Sequence, residues 1–298
     1  MTGGAGFIGS HVSNKLALEK REVIAIDNLT SGDWVRCNPE INRLNHDLSK
    51  LEISEISDLF KGCEEVYHLA AVKLHNQKNS AKDVLENNIR ATQKIFEACG
   101  IAGVKRVFFS SSLYAYGYHG PGLMIESNEC SPMNEYGLSK LWGEHNLRIA
   151  ALKHGMQFVN GRLFFVYGPN QYAEGGYKSV IVKSCQKLKQ DEAMEIYGTG
   201  SQILDYIYVE DCVKAIIGLM KLNTSITVNI SSGRGTSIRS LVDKLNKIHG
   251  GGEIVQREKD WTDGTVRVGD NQKLKMLLPN FEFTSLSHGL EMTYASIK

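Results

Sequence analysis

Thr2-Gly3-Gly4-Ala5-Gly6-Phe7-Ile8-Gly9-Ser10-His11 is the stretch that decides the fold, because its glycines Gly3, Gly6 and Gly9 run at even intervals straight into a segment of helical pattern. Glycine is required where φ is positive or where backbone must come close to a ligand. The first amides of the following helix, around Phe7, Ile8 and Gly9, then face a bound anion, and the helix dipole favours negative charge there. Val12, Leu16 and Leu18 supply that helix with a buried stripe. Glu22-Val23-Ile24-Ala25-Ile26-Asp27 reads next as an apolar strand ending in an acid. A carboxylate about 20 residues beyond such a loop holds the adenosine ribose hydroxyls of a dinucleotide. Asp27 repels a 2′-phosphate, so NAD is expected in preference to NADP. A dinucleotide loop also follows a buried strand, yet only Met1 and Thr2 precede Gly3. The first strand is therefore expected to be missing, with Met1 an internal methionine and the true start several codons upstream. A truncated, poorly folding product is the alternative.

Working outward, the chain alternates short apolar strands with helical stretches. Glu65-Val66-Tyr67-His68-Leu69 reads as a strand followed by the turn Ala70-Ala71, and Asn88 to Cys99 as a helix. Lys105 to Ser110 is a strand ending in the serine run Ser110 to Ser112, Tyr136 through Ala151 a helix, and Phe158 to Phe165 apolar again. Such alternation predicts an α/β fold, a Rossmann-type doubly wound parallel sheet with helices on both faces. Ligands of such sheets bind at the carboxyl ends of the strands, where Asp27, Ala70, Ser110 to Ser112 and Val166-Tyr167 all fall. The second half is turn-rich at Gly168-Pro169, Glu174-Gly175-Gly176, Gly198-Thr199-Gly200 and Gly250-Gly251-Gly252. We expect an NAD-binding domain over residues 1–168 and a smaller substrate-binding lobe over 169–298, with about 203–215 returning to the first sheet.

The 298 residues carry a formal net charge of +1 and 42% hydrophobic content, an ordinary globular balance. That charge offers no argument for nucleic acid or anionic membrane, and no apolar run is long enough to span a bilayer. The six cysteines show no C-x-x-C spacing and the nine histidines no ligand spacing, so no metal is expected. Scattered cysteines in a chain of this size fit a reducing cytoplasm.

Tyr136-Gly137-Leu138-Ser139-Lys140 carries the chemistry. Tyr136 and Lys140 share a helix face, so their side chains converge. A phenol near pKa 10 is a poor base at neutrality, and the Lys140 ammonium together with a positive nicotinamide ring favours the phenolate. Lys140 is also placed to bond the nicotinamide ribose, and Ser112 to share and orient a substrate hydroxyl.

On these residues the chain resembles the extended short-chain dehydrogenase/reductases, specifically the NAD-dependent sugar-nucleotide epimerase/dehydratase family. The resemblance runs almost the whole length, through Thr2 to His11, Asp27-Asn28-Leu29, His46-Asp47-Leu48, Tyr67 to Ala71 and Asn88 to Thr92. It continues through Phe109 to Ser112, Tyr116-Gly117, Tyr136 to Lys140, Val166 to Pro169 and Gly198 to Gln202, and reaches Val209-Glu210-Asp211. It implies that Tyr136 takes a proton from a sugar hydroxyl while hydride passes to NAD, with Ser112 in the catalytic Ser/Thr place. It further places Gly3, Gly6, Phe7, Ile8, Gly9, Asp27, Asn28, Asp47, Leu48, Leu69, Ala70, Ala71, Asn88, Tyr136 and Lys140 around the cofactor. Asp47 and Leu48 lie near the adenine, and Asn88 is a structural asparagine. A nucleotide sugar is the implied substrate, and homodimerisation through helices near Ala81 to Cys99 and Tyr136 to Lys153 is implied as well.

The chain departs from the family pattern in ways that narrow the reaction. Leu113 and Tyr114 stand where the 4,6-dehydratases carry an Asp-Glu pair, which disfavours dehydration and fits 4-epimerisation, a reaction needing no further acid or base. Tyr114 is placed to touch the sugar or serve as an extra acid, packing being the plainer role. Phe165 replaces an asparagine, Leu204 an arginine that holds the diphosphate, and Asp260-Trp261-Thr262-Asp263 an Arg-Pro-Gly-Asp pattern. A lost charge-assisted phosphate contact costs about 1.5–3 kcal/mol, so two lost together weaken binding by roughly two to four decades. Arg267, Lys178, Lys183 and Arg239 are candidates to compensate, and Trp261 to stack on a base. The expected function is NAD-dependent C4 epimerisation of a nucleotide sugar. A dehydratase, decarboxylase, 3/5-epimerase or keto-reductase of the same family is the alternative, and a non-catalytic NAD-bound sensor or scaffold the second.

Overall fold

The computed structural model describes residues 1–73, 80–117, 120, 122–171, 179–259, 262 and 264–297. The glycine loop leads into α1 (Phe7–Leu18), followed by β1 (Ile24–Asp27), β2 (Asn42–Asn45), α2 (Ile53–Phe60) and β3 (Glu65–His68). A continuous helix made of α3 (Ala81–Val84), a π-helical stretch (Leu85–Arg90) and α4 (Ala91–Ile101) leads into β4 (Arg106–Ser112). Then come β5 (Leu123–Met124), α5 (Glu135–His154), β6 (Gln157–Leu163), β7 (Phe165–Tyr167), α6 (Val180–Lys189), β8 (Met194–Tyr197) and β9 (Ile203–Tyr208). The chain ends through α7 (Val209–Met220), β10 (Ile226–Ile230), β11 (Gly235–Ser237), α8 (Ile238–His249), β12 (Ile254–Arg257), β13 (Val266–Gly269), α9 (Gln272–Leu277) and α10 (Leu286–Ser296).

These elements form two compact units. The first comprises Met1–Tyr118, Glu126–Leu163 and Val213–Val228; the second comprises His119–Ile125, Phe164–Cys212 and Asn229–Lys298. In the first unit the strands run β10-β6-β4-β3, with β1-β2 beside them, and the β1–β2, β3–β4 and β4–β6 pairings are parallel. Strands buried on both faces read as unbroken apolar runs, and Val107, Phe108 and Phe109 of β4 are all buried. Phe109 joins Ile26, Val66, Ile95, Phe96 and Leu147 in one core cluster, which brings helices and sheet together.

Between β1 and β3, Thr2 forms a single bridge to each side, pairing parallel with both Ile26 and His68. Its amide donates to Tyr67 O at 2.9 Å and its carbonyl accepts from Leu69 N at 3.1 Å. Its hydroxyl meets His68 Nδ1 at 2.6 Å, while His68 Nε2 meets Thr92 Oγ1 at 2.9 Å. Burial pushes the imidazole down to about 3, so His68 stays neutral and acts as a fixed link from the glycine loop to α4.

The apolar run Phe158 to Phe165 is two strands in two sheets. The break comes at Phe164, whose amide donates to Ile230 O at 3.1 Å. β7 then pairs with β9, which also meets antiparallel β11 and parallel β13. The segment that rejoins the first sheet is β10, later in the chain than the expected 203–215. β9 is held in the second sheet by its buried Asp205. That carboxylate accepts from Ser232 N (2.9 Å) and Oγ (2.6 Å), Gly233 N (2.9 Å) and Gly269 N (3.2 Å).

Candidate active site

Each glycine of the opening loop has its own reason. Gly3 sits at φ +70°, and a Cβ there would lie 2.6 Å from the Ala70 amide, so the loop and the β3 end with Leu69, Ala70 and Ala71 are packed backbone on backbone. A Cβ on Gly9 would lie 2.0 Å from the Gly3 carbonyl oxygen. Gly6 is different: it is the N-cap of α1 at φ −73°, and a Cβ would meet only Gly3 O, at 3.1 Å. No side chain caps α1 and no acid lies in its first turn, so the amides of Phe7, Ile8 and Gly9 open the helix without a protein anion.

Asp27 accepts from Ala5 N at 3.0 Å and from Leu29 N at 2.9 Å, which ties the strand end to the loop. Burial raises its carboxyl above the usual value despite these donors. Asn28 beside it is exposed. Asp47 is partly buried, yet bonds from the Ser49 hydroxyl (2.6 Å) and amide (3.1 Å) hold its carboxyl below the ordinary value. Leu48 faces the core. Asn88, within the π-helical stretch, accepts from Val72 N and donates to Val72 O, both at 2.8 Å, and reaches Ser139 Oγ at 3.2 Å. π-Helical turns are frequent at functional sites. Here the turn aims one amide at both the β3 end loop and α5, the structural role the resemblance implies.

Asn134 caps α5 by accepting from Gly137 N at 2.8 Å. Gly137 is needed because a Cβ would come within 2.3 Å of the Tyr114 carbonyl oxygen. The start of α5 therefore lies against the turn after β4, and Ser112, Tyr136 and Lys140 come together. The Ser112 hydroxyl faces the Tyr136 phenol and favours its ionised form, while it accepts from Tyr114 N at 3.3 Å. Tyr114 packs edge-on to Tyr136, ring centroids 6.0 Å apart. Leu113 is buried and lacks any group that transfers a proton.

Lys140 is 3% exposed. Its ammonium donates to Ser110 O at 2.7 Å, its one acceptor among the described residues, and lies 5.6 Å from the Tyr136 ring centroid. Burial, and then the charge of Lys73, hold it down at about 7. Burial likewise pushes the Tyr136 phenol well up, with Tyr114 adding to the effect. Burial therefore disfavours the charged form of both groups in the protein without its cofactor. Lys73 is a residue the sequence reading missed. Its position just past the strand-end turn Ala70-Ala71 was the available signal.

These features fit NAD. The uncapped α1 terminus suits a pyrophosphate, and Lys140 holds N–H groups in search of acceptors. Lys140 has a folded value below its ordinary 10.5, so its contribution to stability is full above that value and is lost as pH falls through about 7. A ligand that accepts from the ammonium favours the charged form. NAD affinity is therefore expected to rise as pH falls from about 9 to about 7, with net proton uptake. Calorimetry in two buffers of different ionisation heat measures this, and a pH-independent affinity with no uptake would remove Lys140 from the cofactor contact.

In the second unit, Phe165 on β7 is in register with Tyr206 on β9, rings 5.9 Å apart, and Arg267 on β13 is in register with Leu204 on β9. Registered neighbours and residues two apart share a face, so Phe165, Tyr206, Leu204 and Arg267 form one patch of this sheet. Lys183 and Arg239 lie on α6 and α8 instead. Lys178, the turn Glu174 to Gly176, and Asp260, Trp261 and Asp263 lie outside the described residues.

A dinucleotide-type α/β unit with Ser112, Tyr136 and Lys140 gathered at its strand ends defines a short-chain dehydrogenase/reductase site. The model of the NAD dependent epimerase/dehydratase family matches residues 1–231. The chain belongs to that family, and NAD is its cofactor. It is 30% identical over 267 residues to the UDP-glucose 4-epimerase of Azospirillum brasilense, covering 84% of this chain and 77% of the relative. The crystal structure of UDP-glucose 4-epimerase from Thermotoga maritima with UDP-glucose superposes with a TM-score of 0.91 at 30% identity, over 99% of this chain and 96% of that one. UDP-glucuronic acid 4-epimerase from Bacillus cereus, in complex with UDP-glucuronic acid and NAD, gives 0.86 at 27% identity, over 99% and 97%. No helix among the described residues is long and apolar enough to cross a membrane.

Proposed function

We propose that the protein is an NAD-dependent 4-epimerase of a UDP-sugar. The observation that carries this is the grouping of Ser112, Tyr136 and Lys140 with buried Leu113 and ring-packed Tyr114 where a dehydratase needs an acid and a base. When bound, NAD would supply the hydride acceptor and donor for sugar C4. Tyr136 takes the C4 hydroxyl proton and gives one back, and Ser112, facing the phenol, orients that hydroxyl. The Lys140 ammonium, 5.6 Å from the Tyr136 ring centroid, together with the positive nicotinamide ring when NAD is bound, would favour the phenolate. The UDP moiety is supported by the names of the relatives and structural neighbours. Incubation with UDP-glucose, UDP-galactose, UDP-N-acetylglucosamine and UDP-glucuronic acid in deuterated water tests the reading. A C4 isomer without solvent deuterium supports it; deuterium uptake or mass loss in the product overturns it.

We assign the cofactor to the first unit and sugar-nucleotide recognition to the second. Leu204 lacks the charge an arginine brings there, and Arg267, in register one strand over, supplies a guanidinium to the same patch. Arg267→Ala is expected to raise KM for the UDP-sugar by about 10- to 100-fold, with kcat within about threefold. Unchanged KM would take Arg267 out of the diphosphate contact. Leu138, Ile149 and Leu152 of α5, with Leu85 and Ile101 of the preceding helix, are exposed apolar residues that suit a homodimer in a cytoplasmic enzyme. Sedimentation equilibrium of the wild type and of Leu152→Glu checks the assembly.

A further inference from the structure

Ser110, Ser111 and Ser112 are consecutive at the carboxyl end of β4, and each faces a different turn of α5. The Ser112 hydroxyl faces the Tyr136 phenol, the Ser110 carbonyl accepts from Lys140 Nζ at 2.7 Å, and the Ser111 hydroxyl donates to Glu144 Oε1. Tyr136, Lys140 and Glu144 lie four residues apart, so they stack along one helix face. Two rungs of this ladder belong to the reacting groups. The third does not, and it is the most firmly held.

Glu144 and Arg162 of β6 are both buried. Arg162 Nε reaches Glu144 Oε1 at 2.9 Å and an Nη reaches Oε2 at 2.8 Å. A two-pronged guanidinium–carboxylate bond fixes orientation as well as distance. The same guanidinium lies 4.5 Å from the Tyr116 ring centroid and donates to Glu126 O at 3.3 Å, so it also holds the chain that follows Ser112. Next to Glu144, a Cβ on Gly143 would come within 2.4 Å of the Phe109 ring, which shows how tightly helix and strand are pressed. A buried ion pair seldom adds net stability over apolar groups of the same shape. The geometry it imposes is its main contribution here.

We infer that Glu144, braced by Arg162 and bonded to Ser111, is a positioning residue: it sets the depth and rotation of α5 on β4, and hence the placement of Tyr136 and Lys140 against Ser112. The inference rests on the 4-epimerase reading, and one of its readouts does not. In the NAD-loaded full chain, Glu144→Gln and Arg162→Lys are expected to lower kcat by about 10- to 100-fold with KM within about threefold, because sub-ångström misplacement is costly to the chemical step. Both are also expected to displace the Lys140 titration by about half a unit, read by NMR of ¹³C-lysine-labelled protein. Ser111→Ala, which leaves the ion pair in place, is expected to lower kcat less and to stay folded, so it carries the test should Glu144→Gln misfold. Lowered Tm with kcat, KM, pH profile and the Lys140 titration all at wild-type values would overturn the inference. Wild type that turns over no UDP-sugar, with the Lys140 titration still displaced in the variants, would overturn the epimerase reading and leave the positioning role standing.

Discussion

Tyr136→Phe is expected to lower kcat by about a thousandfold or more while the protein keeps its NAD, since proton transfer by a placed side chain contributes on the order of 10²–10⁴. The ring that packs edge-on to Tyr114 survives the change, so the geometry of α5 is retained. What is lost is the phenolic O–H, the group proposed to exchange a proton with the sugar hydroxyl. Cofactor content read by absorbance after denaturation, alongside turnover of the UDP-sugar, separates the two effects. Turnover near the wild-type rate would put the base elsewhere and remove the support for a Tyr-centred mechanism. Loss of NAD together with activity would instead make Tyr136 a cofactor anchor.

Gly9→Ala is expected to weaken NAD retention by about 10- to 100-fold, with Tm lowered as well, as overpacking of about 1–3 kcal/mol implies. The added Cβ would lie 2.0 Å from the Gly3 carbonyl oxygen, 2.9 Å from its carbon and 3.2 Å from Gly4 Cα, all of them backbone. Gly3 has little freedom to move: its amide donates to Ile26 O at 2.9 Å, and it sits against the Ala70 amide. Gly6→Ala is the informative partner: its φ of −73° suits alanine and its Cβ would meet Gly3 O at 3.1 Å rather than 2.0 Å, so a smaller drop in Tm than for Gly9→Ala is expected. Thermal melts with and without NAD compare the two. Gly6→Ala with normal Tm but lost NAD would show the cofactor approaching that Cα closely. Full NAD retention in both variants would show that the loop does not carry the pyrophosphate.

Local patterns were enough to read the first unit from residues alone. The glycine intervals, the acid at the end of β1, the buried run of β4 and the Tyr136–Lys140 spacing all answer to rules of a few residues: turn conformation, helix period and strand burial. The segment Phe158 to Phe165 was harder, because an apolar run does not show where a chain changes sheets. That break depends on the Ile230 carbonyl, more than sixty residues away. The return of β10, rather than β9, to the first sheet has a similar origin in Asp205 and its distant amide donors.

The site shows the same division. That Tyr136, Lys140 and Ser112 belong together was visible in their types and order. The charge states of the first two were not, since burial acts through every neighbour at once and here lowers Lys140 while raising Tyr136. Lys73 went unread because its influence on Lys140 is a distance in space. The serine run looked like one catalytic serine with two neighbours, and became three rungs only when α5 lay on β4. Sequence by itself determined the glycine loop, the grouping of Ser112, Tyr136 and Lys140, and the parallel α/β layout, because each is written in contacts within a turn or a strand. The tertiary structure alone decided which strand joins which sheet, which cations meet, and what braces the reacting helix, because those depend on burial and bonding between residues far apart in the chain.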